Sequence, residues 1–140
     1  MASSAVHNIT FDSHDPFAQA TWWAQVTGGS VGYDDYAGDP EARVEPPAGV
    51  TAPVLLFEQV PEAKTIKNRV HVDLLPDTTR EEEVARLEGL GASRLSDHVR
   101  PDGSGWVVLA DPEGNEFCVE RSLAERAKID DAVMAGTNVL

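Results

Sequence analysis

Ile9-Thr10-Phe11-Asp12 and Val70-His71-Val72-Asp73 are two versions of one short strand, and the stretches that follow them repeat as well. Each alternates in polarity along the chain, which sends neighbouring side chains to opposite faces of a sheet. Residues 6–12 read as a strand with Ile9 and Phe11 on the buried face and Asn8, Thr10 and Asp12 on the other. Asp15-Pro16 then supplies an N-cap and a proline for a first helical turn, and residues 17–26 read as a helix stopped by Gly28-Gly29. Three strands are expected next, at residues 30–33, 43–46 and 53–60. The second copy starts with a strand at 69–75, continues with a helix at 79–90 that carries Glu81, Glu82 and Glu83 in its first turns, and stops at Gly91. Strands at 94–99, 106–110 and 116–120 complete it. Two copies of strand, helix and three strands make an α+β fold, with module one at about residues 5–61 and module two at about 68–121. The domain is expected to end near residue 122, and 123–140 forms a C-terminal tail that begins as a helical turn or two.

With 140 residues, 41% of them hydrophobic and 25% charged, the chain can bury a core without disulfides, and its single cysteine, Cys118, has no partner to form one. Eleven Lys and Arg stand against 24 Asp and Glu, a formal net charge of −13. A chain this acidic is a poor binder of nucleic acid or of anionic membranes, both of which need a basic face; its field either favours cationic ligands or, the plainer reading, only keeps the protein soluble. The opening residues carry neither a basic stretch nor an apolar one, and no run approaches a membrane span. A soluble, cytoplasmic protein is the expectation.

Residues 55–74, Leu-Leu-Phe-Glu-Gln-Val-Pro-Glu-Ala-Lys-Thr-Ile-Lys-Asn-Arg-Val-His-Val-Asp-Leu, resemble the glyoxalase-like (glyoxalase/bleomycin resistance) proteins of the vicinal oxygen chelate superfamily. So do Asp111-Pro112-Glu113-Gly114-Asn115-Glu116-Phe117, the first strand up to Pro16 and the helix bearing Trp22-Trp23. The resemblance covers about residues 6–121. It implies two βαβββ modules that form curved, barrel-like mixed sheets around a central cavity, often completed by a homodimer. The superfamily includes glyoxalase I, extradiol dioxygenases, fosfomycin-modifying enzymes, epimerases and bleomycin-binding proteins, so fold alone does not select the chemistry.

Catalytic members hold a divalent metal through His or Glu side chains from the first strand of each module and the last strand of a module. His7, His71 and Glu120 are the first candidates for such a set, which would suit Zn, Ni, Mn or Fe. Strand parity argues against it, because His7 shares the face of Ile9 and Phe11. Helix spacing agrees: His71 precedes Gly91 by 20 residues, and the residue 20 before Gly28 is Asn8. The family-aligned last-strand position, four after Gly114, is Cys118 rather than a glutamate, although Glu116 and Glu120 share its parity. Asn8, His71 and Cys118 make a poor site for a hard metal, although His71 with Cys118 could hold zinc, so no cofactor is favoured and a divalent metal stays an alternative.

The leading reading is therefore a small-molecule binding protein whose cavity presents Asn8, Thr10, Asp12, His71, Asp73 and Cys118. It sequesters an antibiotic or a metabolite, cationic or aromatic, without a catalytic metal. The alternative is a metal-dependent lyase, isomerase or dioxygenase using His71 and Glu120, with His7 or a partner module as third ligand, and requires a bulge in the first strand. Metal-free catalysis would use His71 as general base with Asp73 or Asp12 orienting it. Each residue also has a plainer role. His71 would be a hydrogen-bonded strand histidine and Cys118 a buried small hydrophobe, while His7, His14 and His98 would be surface or loop residues. One of Trp22 and Trp23 is expected in the core and the other at a cavity edge or dimer contact. Lys64, Lys67, Asn68 and Arg69 are expected to brace the connection between modules, and Tyr33-Asp34-Asp35-Tyr36 to form a solvated loop.

Overall fold

The period-two alternation and the two glycine-stopped helices build the repeat twice in a computed structural model that describes residues 2–134, the side chains of 129–134 excepted. The chain divides into two compact units, Met1–Ala63 and Lys64–Leu140. The second unit takes in Lys64, Lys67 and Asn68, which the sequence left in the connection.

In the first unit, β1 (Asn8–Ser13) leads through α1 (Pro16–Thr27) to β2 (Ser30–Val31), β3 (Glu41–Glu45) and β4 (Val54–Gln59). The sheet order is β1-β4-β3-β2, with β1 parallel to β4 and the other pairs antiparallel. The register of β1 on β4 runs unbroken from Asn8 opposite Val54 to Ser13 opposite Gln59, so no bulge reverses the parity of the first strand. Phe11 stacks on Phe57 at 5.3 Å between ring centroids and lies 6.3 Å from Trp23 of α1. α1 starts at Asp15, whose side chain accepts from the Ala18 N–H, and stops at Gly28, whose φ of 74° suits a residue without a Cβ. Both tryptophans of α1 are buried, Trp22 at 6% exposure and Trp23 at 1%, against the expectation that one would reach an edge. The cause is a broad buried face that runs through Pro16, Gln19, Ala20, Trp22, Trp23 and Val26, with the two indoles packed edge to face at 5.2 Å.

The second unit repeats the order: β5 (Asp73–Leu74), α2 (Arg80–Gly89), β6 (Ser93–Asp97), β7 (Trp106–Ala110) and β8 (Glu116–Glu120). Its sheet order is β5-β8-β7-β6, again with the first and last strands of the module parallel. Both sheets keep two edge strands and are open, not closed into a barrel. Thr79 and Glu82 form a reciprocal capping box at the start of α2. Buried Arg80 donates to the carbonyls of Gly103 and Gly105, fixing the loop between β6 and β7. α3 (Leu123–Met134) is longer than the turn or two expected of the tail, and residues 135–140 lie outside the described residues. Among the described residues no helix is long and apolar enough to cross a membrane.

The expected strand at 69–75 survives only as Asp73 and Leu74. Val72 still accepts from the Cys118 N–H at 3.0 Å, but upstream of it the ladder ends. Continuing the register would set His71 opposite Glu116, where the first module has Asn8 opposite Val54. Glu116 instead takes the Asn68 N–H on its side-chain Oε2, and the backbone leaves the sheet.

Phe57→Ala, which empties a fully buried ring site, is expected to cost about 3–5 kcal/mol in urea unfolding, while Thr79→Ala, which removes one cap, costs about 1 kcal/mol.

Candidate functional site

On β8 the alternation buries Phe117 and Val119 among the residues facing α2 and turns Glu116, Cys118 and Glu120 to the other face. β7 runs in step, with Val107 and Leu109 in the core and Trp106 and Val108 opposite. Pairing carries one row across the sheet, Asp73 beside Cys118, Cys118 beside Val108 and Val108 beside Ser96. A second row sets Glu120 beside Trp106, whose carbonyl accepts from the His98 N–H at 2.9 Å. These two rows floor a pocket of about 690 Å³, to which Lys67, His71, Leu95 and Glu116 also contribute. Leu95 is there because the β6–β7 register shifts between Arg94 and Ser96, leaving it as the extra residue of a bulge.

The aromatic wall is held from both sides. His98 stacks on Trp106 at 5.2 Å, its Nε2 lies 3.0 Å from Ser96 Oγ, and the Arg100 guanidinium lies 5.6 Å from the indole centroid. At the other end, Glu116 is nearly enclosed. Burial opposes its ionisation, but the Lys64 ammonium at 2.9 Å and the Asn68 N–H at 3.1 Å outweigh that and hold the carboxyl below its ordinary range. The Asp111–Asn115 turn behind it is a closed hydrogen-bond unit. Buried Asp111 accepts from the backbone N–H groups of Glu113 and Asn115 and from the Asn115 side chain. Gly114 takes the turn's positive φ of 90°.

His71, Asp73 and Cys118 each offer one ligand atom, and these three atoms lie within 4.8 Å of one another. His71 Nε2 is 3.5 Å from Asp73 Oδ1, an ion pair when the imidazole is protonated. Cys118 is 5% exposed, and burial, helped by the charge of Asp73 and a hydrogen bond to it, pushes the thiol up to about 11. The thiol therefore keeps its proton at neutral pH. An imidazole, a carboxylate and a sulfur suit zinc once that proton is lost; they do not suit manganese, which prefers oxygen donors.

Of the residues expected from sequence, His71, Asp73 and Cys118 meet in this pocket. Glu120 lines it too, but lies outside the close trio and pairs with Arg126 at 3.6 Å. Asn8, Thr10 and Asp12 occupy the face of the first unit's sheet that turns away from Phe11, with Asn8 Nδ2 donating to Thr10 Oγ1 at 2.8 Å, and they do not line this pocket. His7 is exposed ahead of β1 and lies in the first unit, so the set His71, Glu120 and His7 is not the group the second unit assembles. His98 is an exposed residue beyond the end of β6, as its sequence reading has it, and it also walls the pocket, while Trp106, Val108, Ser96 and Lys67 were missed as pocket residues. Parity counted outward from Cys118 through β7 would have found Trp106 and Val108.

Iodoacetamide is expected to leave Cys118 almost untouched at pH 8, with alkylation rising toward a midpoint near 11, the value to which the thiol is raised, as read by mass spectrometry. Asp73→Asn removes a negative charge and an acceptor, so its midpoint falls below that of the wild type. Because the unfolded thiol ionises near 9.0 and the native one near 11, Cys118 contributes a loss of stability as pH rises between those values and none below them.

Residues 8–120 match the family of the glyoxalase-like domain. No curated protein matches the chain. Among solved structures, a glyoxalase/bleomycin resistance protein/dioxygenase family enzyme from Burkholderia phytofirmans PsJN is 17% identical with a TM-score of 0.63, covering 86% of this chain and 100% of that one. TioX from Micromonospora sp. ML1 is 16% identical with a TM-score of 0.59, at 86% and 100% coverage. The fosfomycin resistance protein FosX from Listeria monocytogenes, complexed with Mn(II) and 1S,2S-dihydroxypropylphosphonic acid, is 19% identical with a TM-score of 0.62, at 91% and 98% coverage. At these identities the likeness is one of fold, and together with the match over residues 8–120 it makes the chain a member of the glyoxalase-like domain family, within the vicinal oxygen chelate superfamily.

Proposed function

We propose that this protein binds a small molecule in the pocket of its second unit without a catalytic metal, sequestering a cationic or aromatic antibiotic or metabolite. The observation that carries this reading is the state of Cys118. At the last-strand position to which the family resemblance assigns a metal-binding glutamate, this chain has a buried thiol that holds its proton and hydrogen-bonds to Asp73. Asp73 accepts from this thiol and lies 3.5 Å from His71 Nε2, so a metal would have to compete with contacts already made. A volume of about 690 Å³ is in the range of small-ligand sites. Leu95, Val108 and the His98–Trp106 wall supply apolar surface, while Asp73, Glu120 and the net charge of −13 favour a cation. The reading includes a cytoplasmic homodimer, for which the exposure of Ile66, Val70 and Leu75 on the second unit gives support.

A second reading, a metal-dependent lyase, isomerase or dioxygenase, draws on the closeness of His71, Asp73 and Cys118 and on the Mn(II) complex of FosX. Those three residues would hold the metal, which would supply Lewis-acid polarisation of a substrate oxygen. In metal-free catalysis His71 would act as general base with Asp73 orienting it.

Thermal unfolding of chelator-stripped protein, with and without Zn, Ni, Mn and Fe(II), separates the first two readings. The expected result is no shift in midpoint with any metal, and heat in calorimetry with members of a panel of cationic glycopeptide and polyaromatic drugs. A metal shift of several degrees that disappears in His71→Ala would overturn the metal-free reading and revive the second one. A panel that gives no heat at high protein concentration would remove the basis for sequestration.

A further inference from the structure

The segment from Lys64 to Val72 brings Lys67 and His71 to the pocket without belonging to the sheet. Its backbone is not laddered onto β8 before Val72, so something else must fix its path. One carboxylate supplies two of the hydrogen bonds that do this. Glu116 Oε1 accepts from Lys64 Nζ at 2.9 Å, and Oε2 accepts from the Asn68 N–H at 3.1 Å. Lys64 Nζ also donates to the Ile66 carbonyl at 2.8 Å, which folds the chain back between the two anchors. Asn68 Nδ2 donates to Asn115 Oδ1 at 2.8 Å, and Asn115 is in turn held by Asp111 in the buried turn. Lys64 and Glu116 are 21% and 14% exposed, so this pair is shielded in a way that ordinary surface pairs are not.

The same carboxylate lines the pocket. A glutamate that faced a ligand would be free to bind it, but both oxygens of Glu116 are committed to the segment. We propose that Glu116 is a positioning residue: its carboxylate clamps residues 64–72 and thereby sets where Lys67 and His71 stand in the pocket. The clamp is not a simple ion pair, because a negative acceptor is needed at once for an ammonium and for a backbone N–H. The consequence for binding rests on the reading of the pocket as a ligand site; the clamp itself does not.

The test uses the full chain and reads amide hydrogen exchange at Asn68 and the ring resonances of His71 by NMR at fixed pH. In Glu116→Ala, Asn68 exchange is expected to rise by about tenfold or more and the His71 ring signals to move, with exchange at core Val107, Leu109 and Val119 unchanged. Lys64→Met keeps the acceptor for Asn68 and gives a smaller effect. The charge-swapped pair Lys64→Glu with Glu116→Lys restores opposite charges but no acceptor, and is expected not to restore protection at Asn68. Unchanged Asn68 exchange or unmoved His71 signals in Glu116→Ala, or full recovery in the charge swap, would overturn the clamp. If Glu116→Ala does not fold, Glu116→Gln retains an oxygen for Asn68 while losing the ionic contact, and unmoved His71 signals there would overturn it equally. Drugs that bind the wild type are expected to bind Glu116→Ala about tenfold more weakly, and equal affinity would refute the link to binding. A wild type that binds none of them while the NMR changes occur defeats the pocket reading and leaves the clamp standing.

Discussion

The buried carboxylate of Asp111 closes the β7–β8 turn, and much of the second unit depends on that closure. It accepts three hydrogen bonds across five residues, two of them from backbone N–H groups, and so fixes which residue of β8 lies opposite which residue of β7. With Cys118 opposite Val108, Phe117 and Val119 enter the core and the thiol enters the pocket. A slip of one residue would exchange these roles along the whole strand, burying carboxylates and exposing a phenylalanine. The same turn carries Asn115, which receives Asn68, so strand register and the path of the segment bearing His71 share one origin.

What sequence makes legible here is whatever depends on period. The repeat, the parity of β1 and the alternation of β7 and β8 all follow from side chains two residues apart, and the packing of Phe11 on Phe57 and Trp23 confirms the inward face of β1. Counting from the helix-stopping glycines places Asn8 and His71 in corresponding positions, and Asp73 beside Cys118 then corresponds to Thr10 beside Leu56. What the period cannot reveal is a side chain that replaces a backbone bond. Alternation at 69–75 has the form of a strand, yet Glu116 captures the Asn68 N–H and the strand shrinks to two residues. The β6 bulge likewise breaks the count from Arg94, which brings Leu95 to the pocket. For Trp22, the 100° step was sound, but the buried face of α1 is wider than the single stripe that step assumes.

Electrostatics in the pocket point inward more than outward. Glu116 is committed to Lys64 and Asn68, Glu120 to Arg126, and Asp73 to His71 and the Cys118 thiol. A cation entering this pocket meets carboxylates that already have partners, so its binding free energy is the difference between two paired states and not the gain of a bare charge. On the proposed reading, shape and apolar contact with Leu95, Val108 and the His98–Trp106 wall would therefore matter more to selection than the −13 charge of the whole chain, which would act mainly on encounter.

The two modules make the chemical asymmetry plain. Across the first sheet the row that corresponds to Asp73, Cys118 and Val108 is Thr10, Leu56 and Arg43. That row offers a hydroxyl and a guanidinium that pairs with Glu45 and Asp34, and no imidazole, carboxylate or sulfur. The first module's row thus lacks the imidazole–carboxylate–thiol grouping that the second module's row and His71 bring together. A metal held by His71, Asp73 and Cys118 would first have to displace the thiol proton, which the protein keeps up to about pH 11. That cost falls on metal binding alone, and a neutral or cationic organic ligand that contacts the protonated thiol does not bear it.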